Sequence, residues 1–204
     1  MKNRTCIYLL LFLLAMGLIS CRPDVGSPDE VAVLETSYGR VVFEFFPDEA
    51  PNHVATFKAM FREGFFDETK FHRLLKENGR PIAIQGGDPN TVTGDPATWG
   101  AGLSGQKTLR AEISKKLVHA RGAVSAAHKP KEKDTAASQF FICVVPEPRF
   151  DGEYTIFGRV IEGMNVVDSI ARAPLVRGTE RPVDPVVVNR AYLAKRDEIK
   201  QEGR

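Results

Sequence analysis

The chain has 204 residues, with 28 Lys+Arg against 26 Asp+Glu and 43% hydrophobic residues, a balance that fits one ordinary globular domain and excludes a disordered chain. Three cysteines, Cys6, Cys21 and Cys143, are too few for a disulfide scaffold. A formal charge of +2 lacks the basic excess that would point to nucleic acid as a partner.

Lys2 and Arg4 precede an uncharged, mostly apolar run from Cys6 to Ser20. A helix needs about 20 residues to cross a bilayer, so this run is short for a span and right for the apolar region of an export signal. It ends in Leu18-Ile19-Ser20-Cys21, which resembles the bacterial lipobox, whose cysteine is acylated and becomes the first residue of the mature chain. That resemblance implies a signal peptide over 1–20, a palmitate-bearing lipid anchor on Cys21 and a location at the bacterial cell envelope, on the periplasmic side or at the outer membrane. One acyl chain binds a bilayer marginally, whereas several hold firmly. Cleavage would also leave Cys143 without a disulfide partner and 26 basic side chains against 26 acidic ones. Residues 21–30 are rich in turn formers, lack an apolar pattern and read as a tether.

From Val31 the pattern VAVLETSYGRVVFEFF gives two strand-like runs around a short turn, which is a hairpin signal. Between Pro47 and Gly64, the positions Ala50, Val54, Phe57 and Phe61 share one helical face, and Gly64 sits where a left-handed cap is expected. Strands are predicted at 71–75, 81–85, 122–127, 138–145, 155–161 and 186–193, and a second helix at Met164–Ala171. Eight strands and two helices predict a mainly β fold: a closed eight-stranded antiparallel barrel, over residues 31–194, with the helices capping its ends. A Gly/Pro/Thr-rich loop is expected between Asp88 and Glu112, and residues 195–204 read as a polar C-terminal tail.

Several motifs lead nowhere. Gly100-Ala101-Gly102-Leu103-Ser104-Gly105 fits G-x-G-x-x-G, yet it follows Gly94-Asp95-Pro96 rather than a strand and opens no amphipathic helix, so no nucleotide is expected. His53, His72, His119 and His128 have no metal-ligand spacing, and Ser125 and Ser138 lack a nucleophile-elbow context. Neither a metal nor any other cofactor is implied.

Three segments remain: FHRLLKENGRPIAIQGGD from Phe71 to Asp88, SQFFICVV from Ser138 to Val145, and DGEYTIFGRV from Asp151 to Val160. Core packing accounts for Phe71, Leu74, Ile82, Ile84, Phe140 and Ile142. It does not account for Arg73 and Gln85, long polar side chains within apolar strands, and adjacent Phe140 and Phe141 must face opposite sides of one strand.

Through FHR, QGGD, SQFFI and DG…FGRV, in that order, the chain resembles the cyclophilin family of peptidyl-prolyl cis-trans isomerases from about Val31 to Leu193. The resemblance implies isomerisation of Xaa-Pro bonds in proline-containing polypeptide segments by a monomer that assists protein folding. Arg73 then matches the catalytic arginine, Gln85 the active-site glutamine and Phe141 the floor of the proline pocket; Ile82, Ala83 and Phe150 match its walls. Ala127, His128, Gln139 and Tyr154 match further positions in or beside the substrate groove. The sequence departs from the family pattern at Arg149, where many members carry Trp, at Tyr154 (often His) and at Ala83 (usually Met), and its segment between Arg73 and Gln85 is longer than expected. A proline-segment binding module, or a holdase-like chaperone using the same groove, is the alternative from a different class.

Overall fold

The computed structural model describes residues 23–202, so Cys21 and the apolar run before it lie outside the described residues. Nine strands form one antiparallel sheet: β1 Glu30–Thr36, β2 Gly39–Phe45, β3 Lys70–Phe71, β4 Arg73–Glu77, β5 Arg80–Gly86, β6 Ala123–Ala126, β7 Phe140–Cys143, β8 Ile156–Glu162 and β9 Val186–Lys195. Their order is β3-β9-β1-β2-β8-β6-β7-β5-β4. The terminal strands are consecutive in sequence and separated only by His72, whose N–H donates to the Gln85 carbonyl at 3.1 Å, so the sheet curls into a nearly closed barrel. The strand expected at 71–75 is therefore two strands broken at His72, which raises the count from eight to nine.

Two main helices pack against the barrel. Helix α1, Pro51–Arg62, starts later than the apolar spacing suggested, because Pro47–Glu49 form a turn and Pro51 takes the first helical turn, where its missing N–H costs nothing. No local side chain caps α1. Instead Glu112, 60 residues away, accepts from the Asn52 and His53 N–H groups at 3.0 Å each, satisfying donors that the helix leaves open. Gly64 has φ +66 and ends the helix, as its position suggested. A single helical turn, α2 (Asn90–Thr93), lies in the long loop, and α3 spans Met164–Ala171, burying Val166, Val167, Ile170 and Ala171.

The barrel core is aromatic. Phe57 stacks on Phe157 at 4.1 Å between ring centroids, and Phe43, Phe61, Phe66 and Phe140 pack around them. The segment read as a polar tail instead contains helix α4, Arg196–Glu202. One apolar side chain, Ile199, anchors it on Val31, Val33 and Val42, and Arg196 reaches Glu44 at 2.7 Å. A single buried isoleucine in a charged stretch gives too little periodicity to reveal a packed helix face.

Candidate functional site

The site lies on the outer face of the barrel wall made by β4, β5, β7 and β6. Arg73 pairs with Gln85, and Gln85 with Phe141, so these three occupy one row across three strands. Cross-strand partners share a face, and their neighbours along each strand point the other way. Leu74, Ile84, Ile142 and Val124 accordingly form the neighbouring row and face the barrel core. Phe140 belongs to that core, whereas Phe141 packs outside it with Ala83, Phe150 and Tyr154.

Above this row runs a groove of about 1240 Å³. Arg73, Gln85, Phe141, Ala83, Ala127, His128, Gln139, Phe150 and Tyr154 all line it, bringing together positions spread over more than 80 residues of chain. Ile82 does not line it. It has the strand parity of Ile84 and faces a separate depression with Pro81, Val145 and Pro146. Side chains alternate along β5, so Ala83 and Gln85 face the groove and Ile82 does not.

The apolar end is built in layers. Phe141 meets Phe150 and Tyr154 edge to face at 5.4 and 5.1 Å, and lies parallel to the His119 ring at 6.0 Å. His119 is buried, and both its backbone N–H and its Nδ1–H donate to Asp151 Oδ1, at 2.7 and 2.8 Å. Burial lowers the His119 pKa and keeps the ring neutral, while that same pair of donors holds the Asp151 carboxyl below its ordinary range against the opposing effect of burial. Asp151 of the DG motif thus braces the support beneath Phe141 rather than meeting a ligand. Cys143 lies in the same cluster; burial, with Glu147 and Asp151 nearby, pushes its thiol up to about 12, so it is inert packing.

The polar end is a directed chain of hydrogen bonds. Arg73 donates from Nε to Glu180 Oε2 at 2.6 Å and from Nη1 to Gln85 Oε1 at 3.1 Å. Gln85 Nε2 donates to Gln139 Oε1 at 2.9 Å, and Gln139 Nε2 to the Gly100 carbonyl at 3.0 Å. Each amide is thereby oriented by its neighbour, and Arg73 is held while its side chain remains 47% exposed, open to a ligand in the groove. At the far rim His128 stacks on Tyr154 at 4.4 Å, with its ring nitrogens 2.8 and 3.1 Å from the Lys129 and Glu153 carbonyls.

The glycine motifs take on structural meaning here. Gly87 of QGGD has φ +81, and a Cβ there would come within 2.5 Å of the Ser138 carbonyl, so only glycine lets β5 leave the sheet this close to the SQFF segment. Asp88, fully buried, accepts from the N–H groups of Asn90, Gly100 and Gly102 and folds the long loop back over the groove. The Gly100–Gly105 run is therefore a groove wall.

Arg149 and the segment between Arg73 and Gln85, both expected to depart from the family pattern, meet each other. The longer segment after Arg73 extends the β4–β5 hairpin to an Asn78-Gly79 turn with φ +50 and +77, and Glu77 at its tip grips Arg149 through two 2.9 Å bonds. Glu147 holds the same guanidinium at 2.7 Å. Sequence reasoning missed Glu180, His119 and Trp99, which also lines the groove, as parts of the site. Glu180 stands 107 positions from Arg73 with no local motif to flag it.

The chain matches the family model described as cyclophilin type peptidyl-prolyl cis-trans isomerase/CLD over residues 31–193. It is 38% identical over 176 residues to peptidyl-prolyl cis-trans isomerase CYP18-2 of Arabidopsis thaliana, covering 86% of this chain and 99% of that protein. A peptidyl-prolyl cis-trans isomerase of Helicobacter pylori is 34% identical over 149 residues, covering 71% of this chain and 82% of that one. Among solved structures, a cyclophilin-type isomerase of Cryptosporidium parvum, crystallised in the presence of the dipeptide Ala-Pro, superposes with a TM-score of 0.69 at 29% identity, over 81% of this chain and 99% of that one.

Proposed function

Because the chain belongs to the cyclophilin-type peptidyl-prolyl cis-trans isomerases, we propose that Arg73 is its catalytic donor, that Phe141 is the floor of its proline pocket, and that it acts on exported polypeptides at a bacterial cell envelope. The observation that carries the catalytic assignment is the single row Arg73–Gln85–Phe141, which sets a guanidinium beside an apolar floor.

Rotation about an Xaa-Pro bond breaks amide resonance against a barrier of roughly 18–20 kcal/mol. In the twisted transition state the proline nitrogen regains a lone pair that neither planar isomer offers. A donor fixed where that lone pair appears binds the transition state better than the ground states and so lowers the barrier. The proline ring sits on Phe141, between Ala83 and Phe150, and Arg73 supplies the donor from the polar edge. Gln85 both orients Arg73 and borders the substrate backbone. The apolar surroundings of Phe141 favour the less charge-separated twisted amide. Together these effects need to remove roughly 7 kcal/mol for a 10⁵-fold acceleration.

No part of this requires a covalent intermediate, because no bond is made or broken. The planar set of donors matters more than the charge alone. Arg73→Lys is therefore expected to fold normally and to lose at least about tenfold in kcat/KM on a short Xaa-Pro peptide; an unchanged rate would refute the assignment.

The location rests on the positively charged start, the apolar run and Leu18-Ile19-Ser20-Cys21. The folded part supports close tethering: buried Lys58 donates to the Ser27 carbonyl at 2.6 Å and to Glu30 at 3.1 Å, fastening the chain just before β1. A lipid on Cys21 would then hold the domain within roughly 20 Å of the bilayer, the reach of six extended residues. Cys21→Ala should move the protein from the membrane to the soluble fraction, or leave it as an unprocessed precursor. Unchanged fractionation of a processed chain would refute the anchor.

A further inference from the structure

We propose that Glu180 is a positioning residue for isomerisation, setting the plane of the Arg73 guanidinium from a loop whose Thr179 and Arg181 also border the groove; the inference rests on Arg73 being the catalytic donor. Glu180 Oε2 accepts from Arg73 Nε at 2.6 Å, the shortest link in the polar chain described above. Gln85 takes Nη1, which leaves Nη2 to donate into the groove. Two contacts on different nitrogens fix a rigid plane, whereas the Gln85 contact alone leaves it free to swing about the Nη1 bond.

The carboxylate is itself held. The Glu180 carbonyl accepts from the Leu74 N–H at 2.7 Å, tying the loop to the outer edge of β4 beside Arg73. The loop closes on itself through Val176 N–H to the Arg181 carbonyl, Thr179 Oγ1 to the Val176 carbonyl and the Leu175–Pro182 bridge. These ties are made by the backbone and by Thr179, so they survive replacement of the Glu180 side chain. Arg73 and Glu180 are 47% and 40% exposed, and an ion pair so open to solvent contributes little to folding. Its effect falls instead on the geometry of the donor.

Glu180→Ala is thus expected to lower kcat about tenfold on an Xaa-Pro peptide, with KM within about twofold and the melting temperature unchanged, because the lost contact matters only when Arg73 must meet the proline nitrogen. Glu180→Gln retains an oxygen for Nε–H and should recover most of the rate. In an Arg73→Ala background, Glu180→Ala should cost nothing further, since one acts through the other. A kcat within twofold of the parent in Glu180→Ala, or an equal loss in both backgrounds, would overturn the inference while leaving the isomerase reading intact. A folded wild-type protein without activity would instead overturn the assignment of Arg73, and this inference with it.

Discussion

Phe140 and Phe141 are chemically identical neighbours placed on opposite sides of β7, so replacing each by alanine separates the cost of folding from the cost of catalysis. Phe140 is 2% exposed and lies 5.7–6.4 Å from the rings of Phe43, Phe57, Phe66 and Phe71. Its neighbours belong to two strands, a helix and the turn that follows that helix and cannot collapse into the gap, so Phe140→Ala should cost about 3–5 kcal/mol. In a domain of this size about 1 kcal/mol shifts the melting point by roughly 2–4 °C, which gives a fall of roughly 6–20 °C. Phe141 lines the groove, and water can enter the space its ring leaves, so Phe141→Ala should cost roughly 1–2 kcal/mol. Its effect on turnover should be the reverse, with kcat/KM on an Xaa-Pro peptide down by about tenfold or more, because the proline loses its floor. Thermal melts by circular dichroism and NMR exchange on the peptide measure both quantities for both variants. Equal losses of stability, or a Phe141→Ala protein with full activity, would refute the division of β7 into a core face and a reaction face.

Acid should weaken the fold in two stages. Burial holds the pKa values of His53, His72 and His119 below the ordinary histidine range, so the unfolded chain takes up protons below about pH 6.5 while the folded chain does not. Stability is then flat above about pH 7 and falls with pH below about 6.5, by up to about 1.4 kcal/mol per unit for each histidine, until the folded pKa values are passed. Glu30, Glu44 and Glu112, whose partners lower their pKa values against the opposing effect of burial, add a second loss below about pH 4.5. Melting points that stay constant from pH 7.5 to 5 would contradict this account. Gly87→Ala, which forces a Cβ against the Ser138 carbonyl at a positive φ, should cost roughly 2 kcal/mol or more and disorder the loop over the groove; chemical denaturation with an unchanged midpoint would contradict it.

The parts of the fold legible in the sequence were those with local periodicity. The β1–β2 hairpin, the face of α1 and the limits of α3 all follow from spacing and turn residues. His72 broke one expected strand into two because closure of the barrel, a tertiary constraint, passes through it. The parity argument that puts Phe140 and Phe141 on opposite sides of one strand applies equally to β5, where Ala83 shares the face of Gln85, and would have excluded Ile82 had it been carried there. Ordered motifs identified most of the groove because strand pairing keeps those residues in register. Glu180, His119 and the Glu112 cap were illegible for the opposite reason: each acts across a long stretch of chain, from a loop with no pattern of its own. The buried face of α4 was hidden because one isoleucine carries it.

The most direct test of the central claim is the rate of cis/trans exchange of a short Xaa-Pro peptide, measured by NMR at equilibrium with residues 21–204 and with the Arg73→Ala variant. The account predicts an acceleration on the order of 10⁵-fold over the free peptide by the wild type, and loss of at least about a hundredfold of it in a variant that melts at the same temperature. Equal exchange rates with the two proteins would contradict it, because the guanidinium at the head of the Arg73–Gln85–Phe141 row would then contribute nothing to the barrier.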